Sequence, residues 1–298
     1  MVVHKLRRAG GADAVTATAA VVAAVATGLA GCAPGADAGA APPAGAVVGT
    51  TAGGADADGA KAGDAGGPLD AVRAVPELLA RAGTSKARTA LEMATGGTRL
   101  TIEGEGGYDF RAGRGRVRVL LPEDGDRPRR RITELFTPGA LYMKNRGAGV
   151  PADKWVRVDT TSLADGNLVT GGATDPGAAA ELLRAARHVT YVGAVRVGGA
   201  RVAHYRGTTD IGAAAKIASP RVREALEAAA KGFATDTVRF DAYLDGEGRL
   251  RKVRHRFSFA NGEREVEVTS TTELYGFGTA VDVRLPPHRD IYTGRIAG

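Results

Sequence analysis

Val238-Arg-Phe-Asp-Ala-Tyr-Leu244, then Asp245-Gly-Glu-Gly248, then Arg249-Leu-Arg-Lys-Val-Arg-His-Arg-Phe-Ser-Phe259 is the stretch on which the architecture of this chain turns. Val238, Phe240, Ala242 and Leu244 alternate with other residues, and Asp-Gly-Glu-Gly reverses the chain. On the return, Val253, His255, Phe257 and Phe259 face one way, while Lys252, Arg254, Arg256 and Ser258 face the other. Asn261-Gly262 makes a second reversal into Val266, Val268, Ser270, Thr272 and Leu274. A period of two with one apolar and one charged face specifies an antiparallel sheet, packed on one side and wet on the other.

The same period extends upstream. Leu100, Ile102, Gly104, Gly106 and Tyr108 alternate with Thr101, Glu103 and Glu105, and Val117, Val119 and Leu121 with Arg116 and Arg118. Shorter runs at 132–136, 141–144 and 154–158 are separated by turn residues at Pro138-Gly139 and 147–151. Val189, Tyr191, Gly193, Val195 and Val197 alternate up to Gly198-Gly199, which turns the chain into 201–209. Three helices are expected. Residues 69–81 form one, kinked or divided by Pro76. Asp175-Pro176 opens 177–187 and Ser219-Pro220 opens 221–231. A sheet this large must hide its apolar face or close on itself. The expected class is therefore α+β: a strongly curved antiparallel sheet, a half-barrel of about 9–11 strands, with a few helices covering its concave face. A hollow between such a sheet and a helical lid suits an apolar ligand.

The chain has 298 residues with 43 Gly and 13 Pro, and a formal net charge of +7. Residues 1–32 carry Lys5, Arg7 and Arg8 against Asp13, and 33–67 carry Lys61 against Asp37, Asp56, Asp58 and Asp64, so the basic excess belongs to 68–298. Aromatic content is 5%, too low for a base-stacking surface, and no nucleic-acid partner is expected. A single cysteine excludes a disulfide framework or a thiolate zinc site within one chain.

That cysteine has a context. The cationic start Met1 to Arg8 precedes an apolar run over 15–30, shorter than the roughly 20 residues needed to cross a bilayer, and the run ends in Leu29-Ala30-Gly31-Cys32. This order resembles the signal peptide and lipobox of bacterial lipoproteins. The resemblance implies a diacylglyceryl thioether on Cys32, cleavage before it, and an anchor on the extracytoplasmic face of the cell membrane. Arg7-Arg8 leaves the export route open between general secretion and twin-arginine transport. Residues 33–67 are almost entirely Ala, Gly, Pro, Asp and Thr, too poor in apolar surface to offset their ordering entropy. They read as a disordered tether with a span of roughly 30–35 Å. The division is thus signal peptide 1–31, lipidated cysteine and tether 32–67, and one ligand-binding domain 68–298.

Beyond the lipobox, the order of segments resembles the LppX/LprG-type lipoproteins, half-barrels similar to the lipoprotein carrier LolA. The segments are Leu141-Tyr-Met-Lys144, Lys154-Trp-Val-Arg-Val-Asp159, the Asp-Pro helix, Val192-Gly193 with Gly198-Gly199, His204-Tyr-Arg-Gly-Thr208 and Tyr243-Leu-Asp-Gly-Glu-Gly-Arg-Leu250. Their order over about 68–285 carries more weight than any one of them. The resemblance implies a hydrophobic cavity that takes acyl chains and leaves the ligand unnamed.

The cavity candidates are Leu100, Ile102, Val117, Val119, Leu135, Leu141, Met143, Phe240, Phe257 and Val268, each equally readable as ordinary core. Arg129, Arg130, Arg131, Arg251, Arg254 and Arg256 are the candidates for contact with an anionic membrane surface, against a reading as a solvated outer face. Trp155 reads as structural. His255 reads as a core or cavity-rim histidine with its hydrogen bonds made, rather than an acid–base group. Glu123-Asp124-Gly-Asp126 offers too few ligands for calcium, no His or Cys stands at metal-ligand spacing, and neither cofactor nor metal is expected. No Gly-x-Ser-x-Gly, His-Glu-x-x-His or phosphate-loop motif occurs.

The favoured expectation is a monomeric, membrane-anchored, non-enzymatic protein that binds or carries a lipid or other apolar small molecule. The alternative is a regulatory or scaffold lipoprotein that binds a membrane signalling or envelope protein. An esterase or wall hydrolase would need Ser, His and Asp brought together from distant segments.

Overall fold

A computed structural model describes residues 66–95, 98–123, 129–144, 149–233, 235–261 and 264–294. The expected signal peptide, Cys32 and the tether up to residue 65 lie outside the described residues, as do Asp124 to Asp126 and the turn at 262–263. The elements are α1 (Pro68–Arg73), α2 (Val75–Ala82), β1 (Thr84–Thr95), β2 (Thr98–Asp109), β3 (Arg114–Leu121), β4 (Arg130–Thr137), β5 (Ala140–Lys144) and β6 (Trp155–Asp159). There follow α3 (Pro176–Glu181), β7 (Arg187–Val197), β8 (Ala200–Asp210), α4 (Ile211–Ile217), α5 (Arg223–Gly232), β9 (Thr237–Leu244), β10 (Leu250–Asn261) and β11 (Arg264–Tyr275).

All eleven strands join one open sheet in the order β6-β5-β4-β3-β2-β1-β11-β10-β9-β8-β7. Each neighbouring pair is antiparallel. This is the expected curved half-barrel with a few helices. Glycines permit the curvature between β2 and β3: a Cβ at Gly106 would fall 1.9 Å from the Arg116 carbonyl oxygen. Gly198 (φ 55°) and Gly199 (φ 82°) close the β7–β8 hairpin with two positive φ values.

The helices depart from expectation in ways the chain explains. The first divides at Ala74, whose N–H closes onto the Asp70 carbonyl oxygen, and Pro76 sits in the first turn of α2, where its missing N–H costs nothing. Asp175 caps α3 by accepting from Gly177 N at 2.7 Å and Ala178 N at 3.3 Å, but α3 tightens into a 3-10 turn over Leu182–Ala185. The strand β7 then takes Arg187. Ser219-Pro220 forms a turn that receives Val222 N and Arg223 N on the Ser219 carbonyl, so α5 begins only at Arg223. The sequence reading missed α4, capped by Asp210 on Ala213 N at 2.6 Å.

Two apolar clusters fill the concave side. One joins Leu91, Ile102, Val117, Val119, Phe257 and Val268 to residues of α4, α5 and the 168–185 segment. The other joins Ala87, Phe240, Ala242, Val253 and Leu274 to α1, α2 and Leu183. The C-terminal tail crosses the other face: Gly278 N donates to Thr84 O, a Cβ on Gly107 would meet Val281, and Ile291 pairs in parallel with Trp155 on β6. Trp155 is therefore part of the tail's anchorage at the sheet edge, with the Lys144 ammonium 5.8 Å from its ring.

Candidate functional site

The candidate site is the inner wall of the sheet under a lid made of the 160–186 segment, α4 and α5. Strand register decides which residues face it. Gly106, Val117, Glu134 and Met143 stand opposite one another on one face, as do Ile102, Leu91, Ser270, His255 and Phe240. Ile102, Val117, Val119, Leu141, Phe257 and Val268 come together in the first cluster, with Leu100 and Met143 packed against it partly buried. Phe240 belongs to the second cluster. Leu135 is a correction: it pairs with Arg116 and Tyr142, in the phase opposite to Val117 and Glu134, and is buried on the outer face.

The basic candidates also separate. Arg254 and Arg256 stand with Lys252 on the outer face of β10, opposite the phase of Val253 and His255. Arg251 breaks from them because the register shifts between Leu250 and Lys252. Its guanidinium lies 3.8 Å from Asp245 and 5.5 Å from the centre of the Phe277 ring. Arg129, Arg130 and Arg131 lie at the start of β4, five strand positions away, about 24 Å at 4.8 Å per strand. The six arginines do not form one patch.

The lid is shut. Gly166 (φ 56°) and Gly232 bring the 160–167 segment against α5: a Cβ at the first would fall 1.9 Å from the Ala225 carbonyl oxygen, and one at the second 1.8 Å from that of Ala164. The Asp165 carboxylate accepts from Asn167 N, Val169 N, Thr170 N and the Thr170 hydroxyl, which fixes the loop between them. Arg184 ties Glu181 to Glu77 of α2. Where the lid meets the β4–β5 turn, a cavity of about 20 Å³ is lined by Phe136, Asn167, Asp175, Ala178, Arg221 and Val222, among others. That volume suits about one water. The expected open hollow is filled here by lid side chains, alanines together with Leu168, Leu182, Leu226 and Phe233.

The burial of the Asp175 and Asp241 carboxyls was not foreseen. Burial pushes the Asp175 carboxyl up despite hydrogen bonds from Tyr108, Gly177 N and Ala178 N, and burial and Asp175 together push the Tyr108 hydroxyl well up. On the outer face Asp241 accepts from His204 Nε2 at 2.8 Å, Arg206 Nε at 3.1 Å and Arg256 Nη1 at 2.9 Å. Burial alone would raise its pKa; these three partners outweigh it and hold the carboxyl below the usual range. The His204 ring stacks on Tyr243 at 4.4 Å. The Asp241 carboxylate is thus shared with two arginines, the arrangement of a structural ion cluster. Among the described residues no group of three or more His, Cys, Asp or Glu is placed to hold a metal ion.

Inside, His255 is completely buried beside Phe240 and Phe257, and neither ring nitrogen has a hydrogen-bond partner within the protein. The expectation that its hydrogen bonds are made is corrected. Desolvation pushes its pKa from 6.5 down to about 3. Its neutral form is favoured in the fold, so the stability this brings is complete above the unfolded pKa and falls as pH drops through 6.5 toward 3. Between pH 7.5 and pH 5 the loss is about 2 kcal/mol. Urea unfolding at the two pH values checks this, and His255→Phe removes the difference.

No family model matches this chain, and no curated protein matches it either. Solved structures do. LprF from Mycobacterium bovis is similar at 11% identity and a TM-score of 0.40, over 74% of this chain and 96% of that one. The Mycobacterium tuberculosis lipoprotein LppX is similar at 10% identity and 0.40, over 73% and 98%. A LolA superfamily protein from Nitrosomonas europaea stands at 12% and 0.33, over 71% and 95%. These are likenesses of fold.

Proposed function

We propose that this chain is a lipid-anchored protein of the extracytoplasmic face of a cell membrane, which binds a lipid or other apolar molecule between the concave wall of its sheet and the lid, without chemical turnover. The observation that carries the reading is the asymmetry of that interface. The wall offers Ile102, Val117, Val119, Leu141, Phe257 and Val268; α4 and the residue after it cover it with the small Ala214, Ala215 and Ala218, while elsewhere in the lid Leu168, Leu182, Leu226 and Phe233 are large. Alanine buries little area, so the α4 part of the lid is held less firmly than a leucine-faced helix would be, and the apolar wall beneath that part is the more available to a guest. An acyl chain burying about 500 Å² gains about 12 kcal/mol before costs, against which the lid contacts are given up. Mass spectrometry of the organic extract from the purified, full-length Cys32→Ala chain tests this. The expected result is a lipid in near-stoichiometric amount; a lipid-free protein that also takes up no added stearate would overturn it.

One observation favours the scaffold reading. The edge strand β7 leaves Tyr191, Val192 and Val195 exposed, a surface on which a partner protein can add. Crosslinking in membranes distinguishes the two, since a scaffold keeps its partner after β7 is intact but the lid is fixed shut.

A further inference from the structure

A belt of polar side chains crosses the inner wall at its centre. Along β1 it is Thr89, between Ala87 and Leu91; along β11 it is Thr272 and Ser270, between Leu274 and Val268; along β10 it is His255, between Val253 and Phe257. Thr89 stands opposite Thr272, and Ser270 opposite His255. On one side of the belt lies the cluster of Leu91, Phe257 and Val268, and on the other that of Ala87, Val253 and Leu274. Thr89 is 5% exposed, Thr272 1% and His255 0%. The Thr89 and Thr272 hydroxyls and both His255 nitrogens have no hydrogen-bond partner within the protein.

An interior wall designed only for packing has no use for four such atoms, because buried polar groups are ordinarily paired. A hydrogen bond joins the belt to the lid. Thr174 Oγ1 lies 2.5 Å from Ser270 Oγ and donates to the Leu168 carbonyl oxygen at 2.7 Å, so Ser270 donates to Thr174. The lid group that meets the belt is therefore itself an alcohol, standing where a guest's oxygen would stand.

Resting on the lipid-binding reading above, we infer that the belt binds an alcohol or carbonyl oxygen carried within the alkyl part of the ligand, with one apolar arm on each cluster. Thr89 and Thr272 donate to that oxygen or accept from it. His255, neutral at physiological pH, offers one donor and one acceptor, one of which can face that oxygen. Sites that hydrogen-bond a ligand oxygen discriminate against the analogue that lacks it, because the site's own groups are then left unpaired.

The test compares stearate, 12-hydroxystearate and 12-oxostearate on the full-length Cys32→Ala chain and on its Thr89→Val/Thr272→Val and Thr272→Ser derivatives. The chain is expected to bind 12-hydroxystearate, 12-oxostearate or both about tenfold tighter than stearate. Preference for the first alone assigns an alcohol, and preference for both admits a carbonyl. The double valine variant should bring the ratio to about one while still binding stearate, and Thr272→Ser should keep the preference. Stearate binding with no preference in the unsubstituted belt overturns the inference and leaves the lipid-binding reading standing, as does a preference that survives the double substitution. Failure of all three probes to bind overturns the lipid-binding reading itself. If the double variant does not fold, Thr272→Val alone is read the same way.

Discussion

Cys32→Ala is expected to move this protein from the membrane pellet to the soluble fraction. Each buried methylene contributes about 0.8 kcal/mol, so two acyl chains of ordinary length hold a protein with about 20 kcal/mol, far beyond what surface charge supplies. Basic residues near an anionic surface contribute about 1 kcal/mol each and are screened by salt. The arginines that would supply this are divided between the start of β4 and the outer face of β10, where Arg256 is already paired with Asp241. Fractionation in high salt should therefore leave the unsubstituted protein in the pellet and release nearly all of the variant. Retention of the variant in the pellet after a high-salt wash would remove the lipid anchor from the account.

Phe257→Ala should lower the unfolding free energy by about 3–5 kcal/mol, a large part of the 5–15 kcal/mol typical of a whole domain. Phe257 is 1% exposed, and its ring centre lies 5.2 Å from that of Phe233 and 5.8 Å from that of His255. Phe233 follows α5, so this pair joins the lid to the wall. The substitution opens a dry void under the lid, and stearate should restore part of the lost stability by binding only the folded state. Urea titration with and without stearate measures both effects. A loss below about 1 kcal/mol would mean that Phe257 does not bridge wall and lid.

The sheet was legible because its period is strict. From Leu100 to Tyr108, and again in the strands between Val238 and Leu274, every second position takes an apolar or small side chain with His255, Ser270 and Thr272 as exceptions, and turn residues fix each reversal. The strand β1 was hidden by its composition: Lys86, Ala87, Arg88, Ala90, Leu91, Glu92 and Met93 are helix formers, held extended by pairing with β2 and β11 on both sides. The helix α4 was hidden for a related reason, because Ile211-Gly-Ala-Ala-Ala-Lys-Ile217 is too short to show a stripe. Leu135 was misassigned because both Leu135 and Phe136 are apolar, and only pairing with Arg116 settles which of them faces outward. The belt had a visible signal in Ser270 and Thr272, hydroxyls in phase with Val266, Val268 and Leu274. What one strand could not reveal is that Thr89 and His255, distant in sequence, stand beside them. The Asp241 cluster had no such signal, since His204, Arg206 and Arg256 reach it from two other strands.

Photocrosslinking with a diazirine-bearing fatty acid, followed by peptide mapping, tests most directly whether a guest lies between wall and lid. The label should fall on strands β2, β3 and β11 around Ile102, Val117, Val119 and Val268, and on α4 or α5, and excess stearate should compete it away. Labelling confined to the exposed β7 edge around Tyr191 and Val195, or labelling that stearate does not displace, would contradict the account.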